Sequence, residues 1–199
     1  MEKPHAPACE RNQQVILNVL KKIINRNANK KLLEIGSGTG QHAVFMAPHF
    51  PKLSWQTADL IENHTGINMW LQQAACANIL KPIELQIGST AFPNIRFDVV
   101  FTANTLHIMS WANVQQLITQ LGQHLAADSQ VIIYGPFKYK SQFTTDSNAQ
   151  FDQWLKQQNP LSGIRDFEKI VELMADKKFN LIEDISMPAN NQILYFLKS

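Results

Sequence analysis

Residues 31–42 read Lys, Leu, Leu, Glu, Ile, Gly, Ser, Gly, Thr, Gly, Gln, His, and no other stretch constrains the fold as much. An apolar run closes beside an acidic residue, three glycines follow at alternate positions, and a helix-compatible segment at 42–47 comes next. Strand, tight loop and helix in that order form the junction at which open α/β sheets hold a nucleotide. Glycine spacing narrows the choice. A dinucleotide fingerprint puts glycines at its first, third and sixth positions, the last for close packing of helix on strand. Here Gln41 stands sixth and the third glycine comes early, as Gly40. Residues without Cβ let the backbone turn sharply and present its amides, so Gly36, Ser37, Gly38, Thr39 and Gly40 are the candidate ligand loop.

The rest of the chain has to supply a sheet for that loop. Its 199 residues suffice for one domain with a sheet buried on both faces, and none of them marks a second domain. Apolar residues make up 45% and charged ones only 17%, so Gln and Asn carry much of the polar surface. A net charge of +2, with no basic cluster larger than a Lys pair, gives no nucleic-acid stripe, so no nucleic-acid partner is expected. The two cysteines show neither metal-ligand nor disulfide spacing, and no metal is expected. The first residues lack the apolar core of a signal peptide and no run approaches a membrane span, which points to the cytoplasm and to no membrane partner.

Two prolines make the first part of residues 4–12 read as extended. A helix then carries Val15, Ile16, Leu17, Val19, Leu20, Ile23 and Ile24 at helical spacing, ending in the Asn/Lys-rich turn 25–30. Residues 53–57 form a second strand that delivers Asp59, nineteen positions after Gly40. That is near the distance at which such folds set a carboxylate on ribose hydroxyls, with Glu62 as the alternative. A helix over 63–79 carries Ile67, Trp70, Leu71, Ala74 and Ala75 on its apolar stripe, and a third strand runs over 82–87. The fourth strand, 97–102, leads into Asn104 and His107. Both follow a strand's carboxyl end, where ligands of open α/β sheets lie. Ser110 caps a helix over 112–125, and 130–134 is the fifth strand. Residues 138–165 form an insertion with a short helix at 149–158, of the kind that shapes a substrate pocket. Asp166 caps a further helix, 181–186 is the sixth strand, and 192–198 returns antiparallel. Asn190 and Asn191, between those last two strands, are either hairpin-turn or pocket residues.

Glu34 followed by glycines at 36, 38 and 40 resembles the first motif of Rossmann-like S-adenosylmethionine (SAM) methyltransferases. Seven strands in this order match that fold, a mostly parallel seven-stranded sheet with helices on both faces and an antiparallel last strand. The segments 8–12, 38–43, 55–59, 104–111, 134–137, 147–152, 163–166 and 187–191 further resemble an uncharacterised small methyltransferase family, catalogued as a domain of unknown function and including methyltransferase-like protein twenty-six.

The resemblance implies SAM as cofactor, with Glu34 helping to hold the methionyl amine. It makes residues 1–27 a lid segment and helix over the cofactor, with Arg11 and Asn12 beneath it on the substrate side. Many SAM enzymes carry an Asp at the third strand's end to meet the adenine, where this chain has Gly88 and Ser89, so backbone or Ser89 would do so. Asn104 is followed by Thr105 and Leu106 and not by the Pro, Pro, aromatic run of many amino-group methyltransferases, which argues against nucleobase or glutamine acceptors. Shared segments at strand ends converge on one pocket in this reading, bringing in Tyr134, Arg165, Asn190 and Asn191. The implied reaction moves the sulfonium methyl to a nucleophile on a small molecule, where in-line positioning supplies much of the rate. His107, with an ordinary pKa near neutrality, is the candidate base, and Arg11 and Arg165 are candidate holders of an anionic substrate. A non-catalytic SAM or nucleotide binder acting through protein partners, an NAD-dependent oxidoreductase and an RNA methyltransferase are the competing readings.

Overall fold

A computed structural model describes residues 2–74 and 76–199. Ala75, read above as part of an apolar helical stripe, lies outside the described residues. The principal sheet has seven strands in the order β3-β2-β1-β4-β5-β10-β9. These are β1 (Lys30–Ile35), β2 (Leu53–Asp59), β3 (Ile79–Glu84), β4 (Val99–Ala103), β5 (Gln130–Gly135), β9 (Phe179–Met187) and β10 (Asn191–Lys198). β1 pairs with β2 and β2 with β3 in parallel, while β10 runs antiparallel to both β5 and β9. The expected fold class is therefore the observed one. Strand order reverses at β1, and the glycine loop follows that strand's carboxyl end.

The chain divides into two compact units. One runs as far as Gln86 and includes Phe97–Phe101; the other holds Ile87–Arg96 and Thr102–Ser199. In the first, α1 (Pro7–Ile23), α2 (Gln41–Met46) and α3 (His64–Ala74) accompany β1, β2 and β3. Its core is aromatic: Trp55 lies tilted against Phe50 at 6.5 Å and edge-on to Phe101 at 6.1 Å, all three fully buried. Apolar burial of such rings is the main source of stability, about 25 cal/mol per Å2 of surface removed from water.

In the second unit α4 (Trp111–His124) buries Val114, Leu117, Ile118 and Leu121 at helical spacing. Ser110 caps it as expected, its hydroxyl accepting from the Asn113 amide at 3.1 Å. The expected insertion is more elaborate than one helix. α5 (Asp146–Gln158) is joined by a small sheet of β6 (Phe137–Tyr139), β7 (Gln142–Phe143) and β8 (Arg165–Asp166) in the order β7-β6-β8. α6 (Phe167–Asp176) leads into β9.

Several boundaries differ from the sequence reading. α1 starts at Pro7, inside the stretch read as extended, because proline fits the first helical position, where no intrahelical donor is needed. The helix expected over 63–79 is shorter, His64–Ala74, after a 3₁₀ turn at Ile61–Asn63. The third strand is Ile79–Glu84 and not 82–87: Pro82 lies within it, which an edge strand tolerates and a central one does not. Asp166 stands at the N-cap position of α6 but makes no cap hydrogen bond, since its Oδ2 accepts from the Ser141 amide at 2.9 Å.

Candidate functional site

In the first unit the loop after β1 is fastened to the end of β2. The Gly36 and Ser37 amides both donate to the Ala58 carbonyl, at 2.9 and 3.1 Å, and the Ala58 amide donates back to Ser37 Oγ at 3.1 Å. Gly36, Gly38 and Gly40 have φ of +72°, +59° and +88°, a region that residues with a Cβ enter only at a cost. They do different work. A Cβ on Gly40 would stand 3.2 Å from Ile67 Cγ2, so that glycine lets α2 and α3 approach, whereas a Cβ on Gly38 would meet nothing within 4 Å. Gly38 thus offers bare backbone to open space.

Asp59 stands beside it. Its Oδ2 accepts from the Gly38 amide at 2.5 Å, and its Oδ1 accepts from the Leu60 amide and Asn63 Nδ2, both at 2.7 Å. Loop and carboxylate, separated by 21 positions, are therefore brought together. Glu34 is 2% exposed, and its Oε2 accepts from Trp55 Nε1 at 2.8 Å. Burial, helped by the nearby Asp59 charge, pushes its carboxyl up to about 7, against the bonds from Trp55 and Ser37 that pull it down. Trp55 was not foreseen in this role; β-sheet alternation marks it as buried but says nothing of its indole N–H.

Of the expected substrate contacts in this unit, Arg11 is exposed on α1. Asn12 is buried, with its Oδ1 2.7 Å from His42 Nε2. An amide oxygen only accepts, so Nε2 carries the proton and Nδ1 faces the Cys9 thiol at 3.9 Å. Burial lowers His42 to about 4 and, with the Glu34 charge, raises Cys9 to about 11, so neither group is ionised at neutral pH.

The second unit holds the other expected residues. Asn104 turns the chain after β4 at φ +57°, its amide donating to the Tyr134 carbonyl at 2.9 Å, and Tyr134 itself is buried in β5. His107 is 5% exposed and stands edge-on to Phe151 of α5, with ring centroids 5.4 Å apart; Phe151 in turn stacks on Trp154. Its backbone carbonyl accepts from the Gly163 amide at 2.9 Å. Burial, and then the Arg165 charge, lowers the imidazole to about 4, so the near-neutral pKa expected of a base at this position is not what the fold provides.

Arg165, a candidate holder of an anionic substrate, is engaged within the protein. Its Nε donates to the Leu106 carbonyl at 3.0 Å, and its Nη2 donates to the carbonyls of Met109 and Leu161. A guanidinium spent on three carbonyls braces the loop that carries His107 and is not a free anion clamp. Gly163 supports the same brace: Ile164 donates to Asp152 Oδ1 at 2.7 Å, and a Cβ on Gly163 would lie 2.9 Å from that oxygen. Asn190 and Asn191 serve the β9–β10 turn. The Asn190 carbonyl accepts from Asn148 Nδ2 at 3.1 Å, and Asn191 Nδ2 donates to the Pro188 and Ala189 carbonyls. Gly88 has φ +97°, with a Cβ position 3.3 Å from Asn113 Oδ1, and both Gly88 and Ser89 are exposed.

The sequence profile of the family described as "Protein of unknown function (DUF938)" matches residues 3–198. The chain belongs to this family. Among curated proteins, the DUF938 chain is 26% identical over 163 residues to a Dictyostelium discoideum protein named probable polyketide synthase 8/35, across 70% of this chain and 6% of that protein. Among solved structures it superposes on an O-methyltransferase family protein from Burkholderia thailandensis with a TM-score of 0.81. Identity there is 14%, covering 97% of this chain and 58% of the other. Human N-acetylserotonin methyltransferase, solved in complex with SAM, gives a TM-score of 0.78 at 12% identity, covering 96% and 53%. The DUF938 chain thus has the methyltransferase fold and spans little more than half of those structures. Among the described residues no helix is long and apolar enough to cross a membrane.

Proposed function

We propose that this DUF938 protein is a SAM-dependent methyltransferase with a small-molecule acceptor. The observation that carries the reading is the pairing of Asp59 with the bare Gly38 backbone at the end of β1. A carboxylate suited to vicinal hydroxyls and a loop with no side chain in the way fit the ribose and methionyl ends of SAM. Glu34, Gly36, Ser37, Gly38, Thr39, Gly40 and Asp59 of the first unit would hold it. Glu34 receives the methionyl amine: a carboxyl near 7 ionises readily when a cation arrives, because an opposite charge restores what burial took away. When bound, SAM supplies an electrophilic methyl on a positively charged sulfur.

The acceptor roles are assigned within the second unit to Asn104, His107 and Tyr134, with Asn190 and Asn191 as further contacts and Arg165 as the brace of the His107 loop. A neutral imidazole near 4 is a poor general base at pH 7, and its use here is to accept or donate a hydrogen bond and to position. The rings of His107, Phe151 and Trp154, together with the engagement of Arg165, favour an uncharged, apolar or aromatic acceptor over an anionic one. The test is incubation with methyl-labelled SAM and fractionated small-molecule extract. Label transfer with release of S-adenosylhomocysteine is expected. Binding of S-adenosylhomocysteine without transfer to any fraction, RNA included, would favour the non-catalytic binder instead.

A further inference from the structure

Gln41 occupies the position that a dinucleotide fingerprint reserves for glycine, and the structure shows what its side chain does there. It is 5% exposed. Its Oε1 accepts from the Ala6 amide at 2.6 Å and from the Thr39 hydroxyl at 2.9 Å. One oxygen thus joins the glycine loop to the backbone just ahead of α1. Residues 3–12 are seated along their length on the same unit. The Pro4 carbonyl accepts from Trp70 Nε1 at 2.7 Å, Lys3 Nζ lies 3.5 Å over the Trp70 ring, and Asn12 and Cys9 take the two nitrogens of His42. Pro4 is seated on Gly66, where a Cβ would fall 2.5 Å from Pro4 Cγ.

We propose that Gln41 is a positioning residue for the cofactor, fixing Thr39 of the loop and tying residues 3–12 to that loop in one interaction. The proposal rests on the SAM reading above. Replacing Gln41 by methionine keeps the volume and removes the acceptor that the half-buried Ala6 amide and Thr39 hydroxyl share. The loop then loses its brace and the strap its anchor. Gly66 gives access to the far end of the same strap without touching the loop. Alanine at a helical position favours the helix itself, so Gly66→Ala unseats Pro4 in a protein that stays folded.

The experiment is stopped-flow and calorimetric binding of S-adenosylhomocysteine to wild type, Gln41→Met, Gly66→Ala and the double variant, with hydrogen exchange at the Ala6 amide. Gln41→Met is expected to weaken binding about ten-fold or more, chiefly through faster release, and to lose Ala6 protection. Gly66→Ala is expected to speed release while Gln41 is intact. The double variant should release little faster than Gln41→Met alone, because one strap is opened by either change. A merely structural Gln41 would lower the melting temperature and leave both release rates at the wild-type value, which overturns the proposal while wild-type binding upholds the SAM reading. Failure of wild type to bind overturns both.

Discussion

Glu34→Gln should make the protein more stable as the pH rises. The carboxyl is 2% exposed and ionises at about 7 in the folded chain, against an ordinary 4.5. Its folded pKa is raised, so the stability that it contributes is complete below 4.5 and is lost as pH rises through 7. The separation, 7 minus 4.5, corresponds to about 3 kcal/mol. Glutamine keeps the shape and an oxygen for the Trp55 indole N–H and has nothing to ionise. Its advantage over wild type is expected to be about 1 kcal/mol at pH 5, about 2 at pH 6 and about 3 at pH 8. Urea unfolding of both proteins across this range measures it, and titrations common to the two cancel in the difference. A difference that stays flat with pH would refute the reasoning. The same substitution should weaken S-adenosylhomocysteine binding, so stability and affinity move in opposite directions.

Arg165→Lys is expected to cost about 2 kcal/mol, since one ammonium cannot serve the Leu106, Met109 and Leu161 carbonyls together; an unchanged melting temperature would return Arg165 to the role of anion clamp. Gly88→Asp, which restores the carboxylate usual in SAM enzymes, should cost about 1–3 kcal/mol for its φ of +97° and should not tighten S-adenosylhomocysteine binding, as calorimetry will show. The pH profile of kcat with saturating SAM should show no ionisation near 6.5 that disappears in His107→Gln, because burial holds that imidazole at about 4.

The parts of the fold legible in the sequence were those with a period or a turn chemistry. β1, β2, β4 and β5 stand out as apolar runs, and the alternate glycines mark the loop, because positive φ leaves a compositional trace. The spacing from Gly40 to Asp59 pointed to a carboxylate near the loop, since Asp59 ends the strand parallel to the one that the loop follows. β3 was misplaced because proline reads as a breaker until the strand is known to be an edge. The two- and three-residue strands β6, β7 and β8 are too short for any period. The bracing bonds of Arg165 were not legible because its partners are backbone carbonyls, which every residue owns and no sequence displays. The links of Gln41 to Ala6 and of His42 to Asn12 span 35 and 30 positions and depend on how α1 packs, which no local pattern encodes.

Calorimetric titration with S-adenosylhomocysteine, beside NAD and the Asp59→Ala variant checked for folding by its melting curve, tests the cofactor reading most directly. One S-adenosylhomocysteine bound per chain, no response to NAD and loss of binding in the variant is the predicted result. Absence of binding by wild type, or binding of NAD in its place, would contradict it.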